Sequence, residues 1–161
     1  MHDGQPGTVE QRLRELGYDL PHAPTPAGSY VAAVRSGGMI FTAGQLPLVD
    51  GSPTYTGKVG GGVSQEEAHS AAETCALNAL AAVESVEPGA LDRIRRVVKV
   101  TGFVASAPGF NAQPAVLNGA SELLGSALGE AGIHARSAVG VAELPFDAPV
   151  EVELVVELAD T

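Results

Sequence analysis

His134-Ala135-Arg136-Ser137-Ala138-Val139-Gly140-Val141-Ala142-Glu143-Leu144-Pro145, followed closely by Val150-Glu151-Val152-Glu153-Leu154-Val155-Val156-Glu157, reads as two β-strands with a tight connection. Both segments are rich in β-branched residues, and the second alternates cleanly. Val150, Val152, Leu154 and Val156 point one way; Glu151, Glu153, Val155 and Glu157 point the other. Pro145, Asp147 and Pro149 punctuate the connection. Arg136 opens the first strand and Glu151 opens the second. Paired as antiparallel neighbours, the two residues would sit at opposite ends of a hairpin. A site using both therefore needs help from the rest of the fold or from a second chain.

Working outward, residues 111–131 carry Val116, Leu117, Ala120, Leu123, Leu124 and Leu128 at helical spacing, with Gly132 as the stop. The run from Ile94 to Ala105 is a long strand. Ser64-Gln65-Glu66-Glu67 has the form of a capping box and starts a helix that extends to about Val86. Its apolar face, Ala68, Ala72, Cys75, Ala76, Ala79, Leu80 and Val83, is built of small residues that permit close approach to a sheet. Cys75 lies inside that stripe and reads as core. Ser29–Arg35 and Met39–Gly44 form a hairpin about Gly37 and Gly38. The segment 49–63 is a glycine-rich loop. Its Gly57-Lys58-Val59-Gly60-Gly61-Gly62 run lacks the spacing of a phosphate-binding loop. Residues 1–27 form an N-terminal extension: a polar leader over 1–7, a short surface helix with Val9, Leu13 and Leu16 on one face, and a proline-rich linker. Residues 28–161 form the main domain. The order β-β-loop-α-β-α-β-β predicts an α+β two-layer sandwich, a mostly antiparallel sheet backed by two helices.

The bulk numbers narrow the function. A chain of 161 residues is one domain, and 45% apolar residues with no Trp leave the core to Val and Ala. The formal net charge of −10 argues against nucleic acid, whose phosphates need clustered Lys and Arg. Cys75 is the only cysteine, so no intramolecular disulfide can form, as suits a cytoplasmic protein. No apolar run is long enough to span a membrane, and the N-terminus lacks a signal-peptide core.

The segment Ala135–Pro145 with Val150–Glu153 closely resembles the C-terminal signature of the RidA/YjgF family of reactive-intermediate deaminases, also described as the endoribonuclease L-PSP family. Three further features agree in order: Tyr30 in the first strand, Ala43-Gly44-Gln45-Leu46-Pro47 as a small-Gly-Gln-apolar-Pro turn, and Asn118 in the second long helix. The resemblance covers residues 28–158. It implies a chorismate mutase-like fold, a homotrimer with sites in clefts between subunits, and hydrolysis of 2-enamino and 2-imino acids to 2-keto acids and ammonia, without metal or cofactor.

On that resemblance Arg136 takes the substrate carboxylate and Glu151 positions water and shuttles protons. Glu153 is the alternative carboxylate, one pleat away on the same face. Tyr30, Gly44 and Asn118 complete the binding residues. The chemistry suits these types. A guanidinium presents paired donors to a carboxylate, and a protonated imine needs only orientation and water. Ala138 stands where many relatives carry cysteine, so a thiol switch is excluded while hydrolysis is not. The alternative is a non-catalytic trimeric module that binds small carboxylates or a partner protein. A ribonuclease activity, attached to some members, is disfavoured by the acidic charge. The four histidines and one cysteine show no ligand spacing. The protein is accordingly expected to carry no stoichiometric transition metal after dialysis against chelator, as metal analysis would register.

Overall fold

The computed structural model describes residues 7–160; nearly all of the polar leader expected over 1–7 lies outside them. Helix α1 (Val9–Glu15) starts at a capping box, in which Gln11 N donates to Thr8 Oγ1 at 3.1 Å and Thr8 N donates to Gln11 Oε1 at 2.9 Å. It docks on the body of the domain. Val9 and Leu13 are buried, Arg12 Nε donates to Ala127 O, and Val9 N donates to Asp92 Oδ1. Leu16, expected on the same apolar face, follows the last helical residue and is exposed.

Strands β1 (Ala33–Ser36) and β2 (Met39–Thr42) form the expected hairpin, turning at Gly37 with φ 59°. Tyr30 precedes β1 and is not part of it: its N–H is turned back onto Gly28 O, away from any ladder. The glycine-rich loop contains a small hairpin, β3 (Leu48–Val49) and β4 (Ser52–Pro53). Helix α2 (Gln65–Val86) has the predicted cap, with Glu67 N donating to Ser64 Oγ at 3.1 Å. Every residue of its predicted apolar stripe is buried, Cys75 included. Burial pushes the Cys75 thiol well up from its ordinary value, with a smaller contribution from the Glu151 charge, and this makes it a core side chain rather than a nucleophile.

Strand β5 (Ile94–Ala105) leads to α3 (Gln113–Leu128), then β6 (Ala135–Val141) and β7 (Val150–Leu158). The α-helical part of α3 ends earlier than expected, at Gly129 with φ 62°, and a 3₁₀ turn runs to Gly132. The five main strands are ordered β1-β2-β7-β5-β6. All pairs are antiparallel except β5 with β6. The architecture is therefore α+β with a mixed sheet, mostly antiparallel, backed by two helices.

The expected hairpin of the last two strands is overturned as well. Strands β6 and β7 are not hairpin partners, because β5 lies between them. A helical crossover such as α3 returns the chain parallel to the strand it left. That places β6 at the edge beside β5, and the eight residues 142–149 must arch over β5 to reach β7. Phe146 and Asp147, with φ of 59° and 56°, turn that arch.

Faces follow from the alternation. Val150, Val152, Leu154, Val156 and Leu158 are buried under the helices; Glu151, Glu153, Val155 and Glu157 lie on the open face. Val34, Phe41 and Val139 share that open face and are exposed.

Helix α3 is seated on two glycines. A Cβ on Gly102 of β5 would lie 2.1 Å from Leu117 Cδ1, and one on Gly119 would lie 2.1 Å from His69 O of α2. The second contact is with backbone, so a side chain there must push the helices apart. Gly119→Ala is expected to destabilise by about 1–3 kcal/mol or more through overpacking. Gly125→Ala, on the same helix with nothing within 4 Å of its Cβ, is expected to stabilise. Its gain is about 0.5–1 kcal/mol from helix propensity. Urea unfolding of the two variants checks the opposite signs.

Candidate active site

Arg136 projects from edge strand β6 toward the helical layer. Its Cα partner across the ladder is Val100, which pairs in turn with Leu154, and both are core residues. The guanidinium reaches α3 and is held along one stripe of that helix. Nη1 donates to Asn118 Oδ1 at 2.8 Å and to Ser121 Oγ at 3.1 Å; Nη2 donates to Pro114 O at 3.3 Å. Positions 114, 118 and 121 are spaced at i, i+4 and i+7, so they share a face. Pro114 is tolerated because it lies in the first turn, where no N–H is required.

Among the described residues Arg136 pairs with no carboxylate. Its partners are neutral oxygens, so its charge is not neutralised within the chain. Of the five N–H donors of a guanidinium, three are used. Nε–H and one Nη2–H remain, the pair that takes a carboxylate side-on.

Glu151 is elsewhere. It lies on the open face of β7, paired across the ladder with Phe103. Its carboxyl rests directly on Gly44: a Cβ at that glycine would come within 2.7 Å of Glu151 Cδ and Oε2. The approach depends on a β-bulge. Phe41 pairs with Val155 but Gln45 pairs with Val152, so β2 and its continuation hold one residue more than β7. Thr42 Oγ1 accepts from Leu154 N, taking the place of the missing backbone acceptor, and Gln45 N resumes the pairing on Val152 O. Gly44 is thereby brought against Glu151.

Burial, and then the neighbouring Glu153 charge, hold the Glu151 carboxyl above its ordinary range.

Tyr30 is 52% exposed, and its Oη accepts from Ala27 N at 3.3 Å, which leaves the hydroxyl proton free to donate. Tyr30, Gly44 and Gln45 line a cavity of about 750 Å³, walled on its far side by the proline-rich segment from Leu20 to Ala27.

The five predicted residues thus form two groups. Gly44 touches the Glu151 carboxyl and shares a cavity with Tyr30 that Glu151 does not line, while Asn118 holds Arg136. Arg136 and Glu151 are three residues apart in register, two strands apart, and on opposite faces of the sheet. Ser121, the Pro114 carbonyl and His134 went unread in the sequence. Ser121 was detectable, since it lies three residues beyond Asn118 on the same helical face. Among the described residues no group of His, Cys, Asp and Glu side chains has the arrangement of a metal centre.

Residues 20–158 match the protein family described as Endoribonuclease L-PSP. Protein TCP17 of Trypanosoma cruzi is 46% identical over 153 residues, 94% of this chain and 95% of that protein. A 2-iminobutanoate/2-iminopropanoate deaminase of Dermatophagoides farinae is 36% identical over 136 residues, 84% of this chain and 91% of that enzyme. The crystal structure of an Agrobacterium tumefaciens protein of unknown function superposes with a TM-score of 0.88 at 48% identity, covering 94% of this chain and 92% of that one.

The raised Glu151 carboxyl has a consequence for stability. The folded chain binds this proton more tightly than the unfolded chain does. The ionised form is thus penalised by folding, and stability falls as pH rises from the unfolded carboxylate value through the raised folded one. Glu151→Gln removes the penalty. The variant is expected to unfold at higher urea than the parent near neutral pH. The gap should shrink toward zero below about pH 4, where both states hold the proton.

Proposed function

Because the chain belongs to the endoribonuclease L-PSP (RidA/YjgF) family, we propose that it hydrolyses 2-imino or 2-enamino acids to 2-keto acids and ammonia, at sites built between subunits of a homotrimer. The observation that carries this reading is the unneutralised guanidinium of Arg136, held on three sides by neutral acceptors with one donor pair free. A small molecule bearing a carboxylate fits that edge.

Each part has a role. Arg136 binds the carboxylate through Nε–H and Nη2–H, and Asn118 fixes the plane of the fork. Glu151, with its raised proton affinity, takes a proton from water as oxygen attacks the imine carbon, then returns it to the departing nitrogen. Water adds across C=N, the C–N bond breaks, and ammonia leaves with the 2-keto acid. Tyr30 donates a hydrogen bond, and the missing side chain at Gly44 is what lets the Glu151 carboxyl rest where it does. No metal or cofactor enters the scheme, and the only partners are a small carboxylate-bearing substrate and two further copies of the chain.

Arg136 and Glu151 face away from each other within one chain, so a site using both draws them from two chains. A chorismate mutase-like trimer, with three sheets around an axis and helices outside, supplies that geometry. Exposed Val34, Phe41 and Val139 on the open face support it, as apolar surface that assembly would cover. The net charge of −10 favours a small substrate over RNA. Among the described residues no helix is long and apolar enough to cross a membrane, and we place the protein in the cytoplasm.

Imine generated in situ by an amino-acid oxidase provides the assay. Arg136→Ala should lower turnover at low substrate about a hundredfold or more, from the loss of two charge-assisted hydrogen bonds. Lysine should rescue poorly, for want of a planar fork. Glu151→Gln should retain carboxylate binding and lose turnover. Co-refolding the two inactive variants at equal amounts should restore about a quarter of parental activity, since a shared site is intact only when each side comes from the right chain. No recovery on mixing would place the site within one subunit. Binding of 2-keto acids with no hydrolysis of any small imine would favour the non-catalytic module.

A further inference from the structure

His134 belongs to no group in the scheme above, yet it is tied to Arg136 through a single atom. Its Nδ1 lies 2.6 Å from Gly132 O, and its Nε2 lies 2.8 Å from Ser121 Oγ. The same Oγ accepts from Arg136 Nη1 at 3.1 Å.

The proton positions follow from the chemistry of the atoms. A carbonyl oxygen only accepts, so Nδ1 carries a proton. In the neutral ring Nε2 is then an acceptor, and the Ser121 hydroxyl must donate to it. With its proton spent there, Ser121 presents only lone pairs to the guanidinium. A helical serine without such a partner turns its proton back onto the carbonyl one turn earlier, or toward any other acceptor in reach. Asn118 Oδ1, three residues earlier on the same helical face, also holds Nη1.

The far end of the relay is rigid. A Cβ on Gly132 would lie 2.3 Å from Leu124 O, so the Gly132 backbone is packed directly against α3 and its carbonyl has one place to be. The series Gly132 O, His134, Ser121, Arg136 runs from fixed backbone to the group that meets the substrate. We propose that His134 is a positioning residue: by keying the Ser121 hydroxyl, it fixes the orientation in which Arg136 offers its free edge to a carboxylate. This rests on Arg136 being the carboxylate anchor.

The test uses the full-length protein, with calorimetric binding of 2-oxobutanoate measured beside kcat and KM for imine hydrolysis. His134→Phe keeps a ring but removes both polar atoms. It should raise Kd and KM together by about fivefold to tenfold, the worth of one neutral hydrogen bond, with kcat nearly unchanged. His134→Gln, whose Oε1 can accept from Ser121, should recover most of the loss. Ser121→Ala should match His134→Phe, and the double variant should be no weaker than either single one. Additive losses, an unchanged Kd in His134→Phe, or failure of glutamine to rescue would overturn the relay. If His134→Phe does not fold, an unchanged Kd in Ser121→Ala overturns it equally. Parent protein that binds 2-oxobutanoate without hydrolysing imines refutes the deaminase reading and leaves the relay testable by Kd. Parent protein that binds no 2-keto acid removes the anchor, and the relay with it.

Discussion

Helix α3 can lie where it does only because one residue beneath it and one of its own have no side chain. Gly102 opens the sheet to Leu117, and Gly119 lets the helix meet the α2 backbone at His69. Interiors are packed to crystalline density, so the position of α3 is set to a fraction of an ångström by those contacts. Everything that holds Arg136 comes from this helix or from the turn that follows it. Pro114, Asn118 and Ser121 are on its outward stripe, and Gly132 ends the turn. A helix displaced by one methyl group would carry all of these acceptors away from the edge strand together.

The surroundings of Glu151 depend on a different local device, the extra residue in the ladder between β2 and β7. The bulge costs the sheet a backbone pairing, partly replaced by Thr42 Oγ1 on Leu154 N. What results is a bare backbone segment at Gly44 against the Glu151 carboxyl. Bulges concentrate next to functional groups because they re-aim the chain without breaking the sheet. Partial burial also raises the proton affinity of the Glu151 carboxyl.

Most of the elements were legible in local sequence, since each answers to a local cause. The capping box at Ser64 and the small-residue stripe of α2 read out directly, because caps and helical periodicity are properties of a few adjacent residues. The alternation of β7 assigned its two faces correctly for the same reason. Errors arose where neighbours in sequence are not neighbours in space. The segments flanking Pro145 look like a hairpin, yet β5 lies between them. Tyr30 looks like a strand residue, yet its N–H is committed to Gly28. Neither the intervening strand nor the local turn leaves a mark on the alternation of apolar residues.

By itself, then, the sequence determined the class of the fold, the main helices and strands and the burial of Cys75, whereas Arg136 and Glu151 drew notice only through the family resemblance. The first three rest on periodicity, capping and side-chain chemistry, which are encoded within short windows. Only the tertiary structure decided strand order, and with it the placement of Arg136 and Glu151 on opposite faces of one sheet. It alone showed that three acceptors on α3 hold the guanidinium and that His134 stands behind one of them. Such facts depend on how far apart elements pack, and packing distance is set by residues such as Gly102 and Gly119 whose effect is felt by side chains distant along the chain.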